Sequence, residues 1–141
     1  MAKKIHKIKG VTLSSASSNT RYGKRDDSLA IAIPSESTLS GKFTTNKLKA
    51  APVVLAAQNL QKLSSGNKIL LVNAGNANAA NGPSGLKDVK KYCREIASYL
   101  RVKEENIIPF STGVIGEKLP VDEYLVAFKK ALENLNDNGW K

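Results

Sequence analysis

The sequence predicts an α/β fold: one domain, built as a layered sandwich of a mixed sheet and packed helices. Three observations predict it. Lys68-Ile-Leu-Leu-Val-Asn73 is apolar almost throughout, as expected of a central strand buried on both faces. Leu86, Val89, Cys93, Ile96 and Leu100 then recur at helical spacing and define one buried stripe. Asn106-Ile-Ile-Pro-Phe110 returns to a β-branched apolar run, so strand and helix alternate along the chain.

The remaining elements follow in order. Residues 1–9 are a basic arm, and 10–19 are small, Ser-rich and end in a turn. Residues 21–27 form a charged loop. Ser28-Leu-Ala-Ile-Ala-Ile33 alternates small and large apolar residues and reads as a strand, which Pro34 ends; a Ser-rich loop runs on to Ser40. Gly41-Lys-Phe-Thr-Thr45 has strand composition. Pro52 speaks against a helix interior, so residues 50–55 read as an edge strand passing into a short helix over 57–63. Ser64-Ser-Gly-Asn67 is a turn before the central strand. The long helix spans 85–100, with Lys91 and Glu95 one turn apart and able to pair. Pro120 opens a last helix with Asp122 and Glu123 in its first turn, where the dipole favours them. Leu125, Phe128, Leu132 and Leu135 form its apolar stripe, and Gly139 is placed as its C-cap.

Composition narrows the function classes. With 141 residues, 41% hydrophobic and 24% charged, the chain suits one globular domain that buries about two-thirds of its unfolded surface. No apolar run approaches the ~20 residues of a membrane span, and the basic start lacks a secretory h-region, so a cytoplasmic protein with no membrane partner is expected. The single Cys93 excludes an internal disulfide, and its place on an apolar stripe makes it a buried structural thiol. His6 is the only histidine, which leaves no metal-ligand spacing. The net charge of +10 is mostly lysine, scattered, with few aromatics, which argues against nucleic acid as partner. Two readings of that charge stay open: attraction of small carboxylate substrates, or a solvated surface with no further use.

Two stretches are unusual. Asn73-Ala-Gly-Asn-Ala-Asn-Ala-Ala-Asn-Gly82 follows the central strand and is rich in residues that reach left-handed backbone conformations cheaply. It is either a rigid polar turn that positions the next helix or the wall of a ligand site. It is no phosphate loop, since no Gly-Lys-Ser/Thr follows. The run from Ile107 ends in Ser111-Thr112-Gly113, small polar residues followed by one that tolerates unusual backbone angles. Such an end can present a hydroxyl and free N–H groups to a developing oxyanion, or it can be only a tight turn.

Gly41-Lys-Phe-Thr-Thr-Asn-Lys-Leu-Lys-Ala-Ala-Pro-Val53, Asn73-Ala-Gly-Asn-Ala-Asn-Ala-Ala-Asn-Gly82 and Ser111-Thr-Gly-Val-Ile-Gly116, in that order, resemble the N-terminal part of the ornithine acetyltransferase family, also called glutamate N-acetyltransferase. The resemblance spans roughly residues 10–140. It implies transfer of an acetyl group from N-acetylornithine to glutamate in arginine biosynthesis, with acetyl-CoA a further donor in some members and no bound cofactor. It implies a precursor that cuts itself into an α and a β chain, assembled as α2β2, and a threonine at the start of β that carries the acetyl group in a ping-pong scheme. It assigns the oxyanion hole to the Thr112 hydroxyl and the Gly113 N–H.

The chain departs from the family by ending before the cleavage site and the nucleophilic threonine. It is therefore expected to be most of an α chain, an incomplete fold without the β half, and inactive alone. Thr44 and Thr45 are no substitutes, being read as mid-strand without an adjacent base. A second expectation, from a different class, is a non-catalytic binding domain that keeps the fold.

Overall fold

The computed structural model describes residues 5–140. Its elements run β1 (Thr12–Ala16), β2 (Ser28–Ile33), α1 (Ala51–Gln61), β3 (Lys68–Asn76), α2 (Gly82–Leu100), a 3-10 turn (Glu104–Asn106), β4 (Ile107–Val114) and α3 (Val121–Glu133). The strands form one sheet in the order β1-β2-β3-β4. β1–β2 and β2–β3 are antiparallel, whereas β3–β4 is parallel and joined across α2, so the sheet is mixed as expected.

Side-chain alternation gives the sheet two unlike faces. Ala30, Ile69, Leu71 and Ile107 point to one side and are buried against Val89, Tyr92, Cys93 and Ile96 of α2 and Tyr124, Phe128, Ala131 and Leu132 of α3. The Tyr92 and Phe128 rings meet at 5.5 Å between centroids. The opposite face carries Leu29, Ile31, Leu70 and Val72, each only half-buried, with Ile108, which is buried, and Phe110, which is exposed. α1 packs along the outer side of β4 and against α2, where the Asn59 amide donates to the Ile107 carbonyl (2.8 Å).

Several elements differ from expectation, each for a local reason. Residues 12–16 form a strand although they are Ser-rich, because β1 is an edge strand with little of its surface buried. Residues 41–45 are not a strand: Phe43 packs near Gly41 and Leu60 of α1, with no ladder partner. The expected edge strand over 50–55 is helix, because Pro52 falls in the first turn of α1, where its missing N–H costs nothing. α3 ends at Glu133 with Asn134 as its C-cap, so Gly139 does not cap it. Gly139 instead lets the chain lie on β1, since a Cβ there would sit 2.1 Å from the Leu13 carbonyl oxygen. Lys91 pairs with Asp122 of α3 (2.6 Å) rather than with Glu95.

Of the basic arm expected over residues 1–9, the first four lie outside the described residues, as does Lys141. Lys7 in that arm pairs with Asp137 (2.6 Å). Among the described residues no helix is long and apolar enough to cross a membrane.

Candidate functional site

The run ending in Ser111-Thr112-Gly113 does not stop there. β4 continues in parallel register beside β3, with Ala74 opposite Thr112, Gly75 opposite Gly113 and Asn76 opposite Val114. The two facing glycines both have positive φ, +104° at Gly75 and +133° at Gly113. Their backbones approach so closely that a Cβ on Gly113 would lie 2.3 Å from the Gly75 carbonyl carbon. Glycine is required by that contact as well as by the dihedral.

In a parallel ladder, alternate residues of a strand turn both N–H and C=O to the same neighbour. The Val114 carbonyl accepts from the Ala77 N–H (2.9 Å), on the β3 side. The Ile107 carbonyl accepts from Asn59, on the outer side. Odd-numbered residues of β4 therefore face outward. Pro109, which has no N–H to give, falls on that outward parity, as an edge strand permits. Gly113 shares it. Its N–H points away from β3, at the outer edge of the sheet, next to the exposed Thr112. The Thr112 side chain stands on the opposite sheet face with Phe110, while Ser111 points to the helix side and donates to the buried Asn73 amide oxygen (2.5 Å).

The other two stretches that carry the family resemblance converge on this strand. Lys42, Phe43 and Thr44, with Pro52, Val53 and Ala56 of α1, line a cleft of about 270 Å³ whose far wall is Pro109, Phe110 and Ser111. The Asn-rich loop grips the segment after β4. Asn76 donates to the Glu117 and Lys118 carbonyls (3.2 and 3.1 Å), Asn81 donates to Glu117 (2.9 Å), and the Gly116 N–H donates to the Ala79 carbonyl (2.9 Å). Asn78, at φ +44° and fully buried, donates to the Gly85 carbonyl (2.8 Å) and so fixes the start of α2. Of the two readings left open for this loop, its amides follow the rigid polar turn. Its small residues Ala79 and Ala80 do form a wall, however, of an apolar cleft of about 580 Å³ with Leu48, Val54, Leu86 and Ile115.

A buried polar cluster lies behind the site and was not singled out by the sequence. Asp27 accepts from the Ser18 N–H (2.8 Å), the Ser18 hydroxyl (2.6 Å) and the Ser28 hydroxyl (3.0 Å). Tyr124 donates to the Ala74 carbonyl (2.7 Å). Burial pushes the Tyr124 phenol up, with the Thr20 hydroxyl acting in the opposite sense and the Asp27 carboxylate adding to the rise. Tyr124, one turn before Phe128, was not on the stripe read from the sequence, and neither its burial nor its polar role was singled out there. The Cys93 thiol is buried and pushed well above its ordinary range, first by burial and then by Glu104. His6 is exposed in the arm. Chemically, the strand edge offers an N–H with no partner among the described residues and a neighbouring exposed hydroxyl, two neutral donors of the kind an anionic oxygen accepts.

The family model for ArgJ matches residues 12–140. Two curated relatives are each 40% identical: the arginine biosynthesis bifunctional protein ArgJ of Methylococcus capsulatus over 134 residues, and its counterpart in Colwellia psychrerythraea over 142 residues. These matches cover 95% and 94% of this chain but 32% and 34% of the relatives, so the chain spans about a third of their length. Among solved structures, the ArgJ protein of Bacillus halodurans superposes with a TM-score of 0.75 at 30% identity, covering 86% of this chain and 63% of that one. An ornithine acetyltransferase of Mycobacterium tuberculosis, solved with ornithine, superposes at 0.83 over 92% of this chain and 69% of that one; at 24% identity it carries the fold alone.

Proposed function

Because this chain belongs to the ArgJ family, we propose that it supplies the oxyanion-stabilising part of an enzyme that moves an acetyl group from N-acetyl-L-ornithine to L-glutamate. The observation that carries the reading is the Gly113 N–H, turned to the unpaired edge of β4 beside the exposed Thr112. Relatives named for arginine biosynthesis support the substrate class.

In this reading the nucleophile is a threonine hydroxyl outside these 141 residues. It attacks the acetyl carbonyl of N-acetylornithine, and the carbonyl oxygen gathers negative charge as the tetrahedral intermediate forms. The Thr112 hydroxyl and Gly113 N–H donate to that oxygen. Collapse breaks the C–N bond, the ornithine amine leaves with a proton, and the acetyl group stays on the threonine as an ester. The glutamate amine then attacks the ester through a second intermediate held by the same two donors. Both donors are neutral and fixed by a strand, so little reorganisation is needed as charge develops.

The nucleophile-bearing partner packs, in this proposal, on the sheet face that carries Leu29, Ile31, Leu70, Val72 and Phe110. A half-exposed apolar face of this kind fits an interaction surface. It would bring the partner to the face on which Thr112 stands and would exclude water there. An α2β2 assembly is part of the same proposal.

The test is Thr112→Ala in the chain assembled with the nucleophile-bearing segment. Loss of one of two oxyanion donors lowers kcat by about 10²–10³, roughly 3–4 kcal/mol, because the donor acts on charge present only in the transition state. KM moves far less than kcat. A folded variant with turnover within about threefold of the parent removes Thr112 from the mechanism.

A further inference from the structure

At Ala74 the sheet loses a rung. The Ala74 N–H still donates to the Asp27 carbonyl (2.7 Å), but the Asp27 N–H turns to Ala16 (3.2 Å) and leaves the Ala74 carbonyl without its ladder donor. Tyr124 fills that place from α3, donating at 2.7 Å. The neighbouring Gly75 is closed in by the same residue: a Cβ there would lie 3.3 Å from the Tyr124 hydroxyl, 3.2 Å from the Tyr22 ring and 3.4 Å from the Arg21 Cβ. Gly75 is the register partner of Gly113, and both bend there with positive φ. Gly113 lies against the next peptide, Gly75–Asn76, so a shift of the Ala74–Gly75 peptide reaches the Gly113 backbone through the bend at Gly75.

We propose that Tyr124 is a positioning residue for the oxyanion donor: by holding the Ala74 carbonyl it fixes the paired bend at Gly75 and Gly113, and so the direction of the Gly113 N–H. Tyr124 lies on the helix side of the sheet and acts only through the backbone of β3. The inference rests on the oxyanion reading of Thr112 and Gly113. Misplacement of a catalytic group by a fraction of an ångström reduces turnover without abolishing binding.

The variant is Tyr124→Phe, which keeps the ring and removes only the hydroxyl, with Tyr99→Phe as control because its hydroxyl bonds Glu133 on the exterior (2.9 Å). In the 141-residue chain, amide exchange at Gly75 and Val114 should quicken about tenfold, the Gly113 amide resonance should move, and Leu71 should be unaffected. In the chain assembled with the nucleophile-bearing segment, kcat should fall about tenfold with KM within twofold, while Tyr99→Phe leaves both unchanged. If Thr112→Ala is costly and Tyr124→Phe alters neither the Gly113 resonance nor kcat, the positioning role is wrong and the oxyanion reading stands. If Thr112→Ala has no effect on turnover, the oxyanion reading itself fails. A drop in thermal stability with kcat unchanged would reduce Tyr124 to a packing residue and overturn the proposal.

Discussion

Adding one methyl group at Gly113 tests the facing bend of β3 and β4 directly. The new carbon would lie 2.3 Å from the Gly75 carbonyl carbon, 2.5 Å from the Asn76 nitrogen and 2.6 Å from the Gly75 oxygen. All three are backbone atoms, so no rotamer change relieves the overlap, and the strands must separate. Overpacking of this kind costs about 1–3 kcal/mol. The φ of +133° adds roughly 1–2 kcal/mol for any residue with a Cβ. Gly116 is the matched control, with φ +81° and nothing within 4 Å of its Cβ position. Gly116→Ala should therefore lose only the dihedral cost, about 1–2 kcal/mol, and Gly113→Ala about 2–5 kcal/mol. Urea unfolding of the two variants, compared at equal slope, reads the difference as the close approach alone. Equal losses would mean that the strands part freely at Gly75, and the argument for a rigid donor would fall with them.

Three further outcomes are expected. Asp27→Ala leaves the Ser18 N–H and the Ser18 and Ser28 hydroxyls without their acceptor in a buried site, and the unfolding midpoint should register a loss of about 2–3 kcal/mol; a loss under about 0.5 kcal/mol would show that the cluster re-pairs. The Lys91 ammonium holds the Asp122 carboxyl below its ordinary range, and Asp122 in turn raises Lys91. The lowered carboxyl gives stability that is present above its unfolded pKa and lost as pH falls through the folded value; the raised ammonium gives stability lost only as pH climbs through its own folded value. Lys91→Met should return the Asp122 titration, followed by NMR, most of the way to an ordinary carboxylate, Lys118 retaining a smaller hold. Finally, Cys93 should resist alkylation at pH 8 in the folded chain and react promptly in denaturant, since burial raises its thiol pKa; rapid labelling of the native chain would contradict its place in the core.

What could be read from the sequence was what side-chain pattern alone decides. β2, the core of β3 and the long helix α2 follow from apolar spacing, because each buries a stripe or face that water would otherwise meet. β1 escaped because Ser14 and Ser15 occupy an edge strand held by ladder bonds more than by burial. Residues 41–45 show the converse: Phe43 and two threonines have strand composition, but α1 occupies the side of β4 where a partner strand would lie. Pro52 was legible as a breaker and equally as a first-turn residue, and only the helix after it decides. At the site, Thr112 and Gly113 were visible as residue types. The ladder parity that turns the Gly113 N–H outward depends on register with β3, which no local pattern contains. Tyr124 was hidden for a similar reason, since its partner is a main-chain carbonyl.

The short bridge between Leu13 and Asn136 has a consequence for how the chain is made. The Leu13 N–H donates to the Asn136 carbonyl (3.2 Å) and the Asn136 N–H returns the bond (3.4 Å), while Gly139 lies against the same strand. β1 is thus made before the other strands described and keeps an open outer edge until Asn136 has been synthesised. During that interval β1 is a template for any passing strand. A contact between positions so far apart in sequence also closes late, because loop-closure entropy must be overcome first. The bridge works as a latch at the end of folding, and the serines of β1 serve the waiting period, keeping that strand polar and slow to associate with a neighbouring chain.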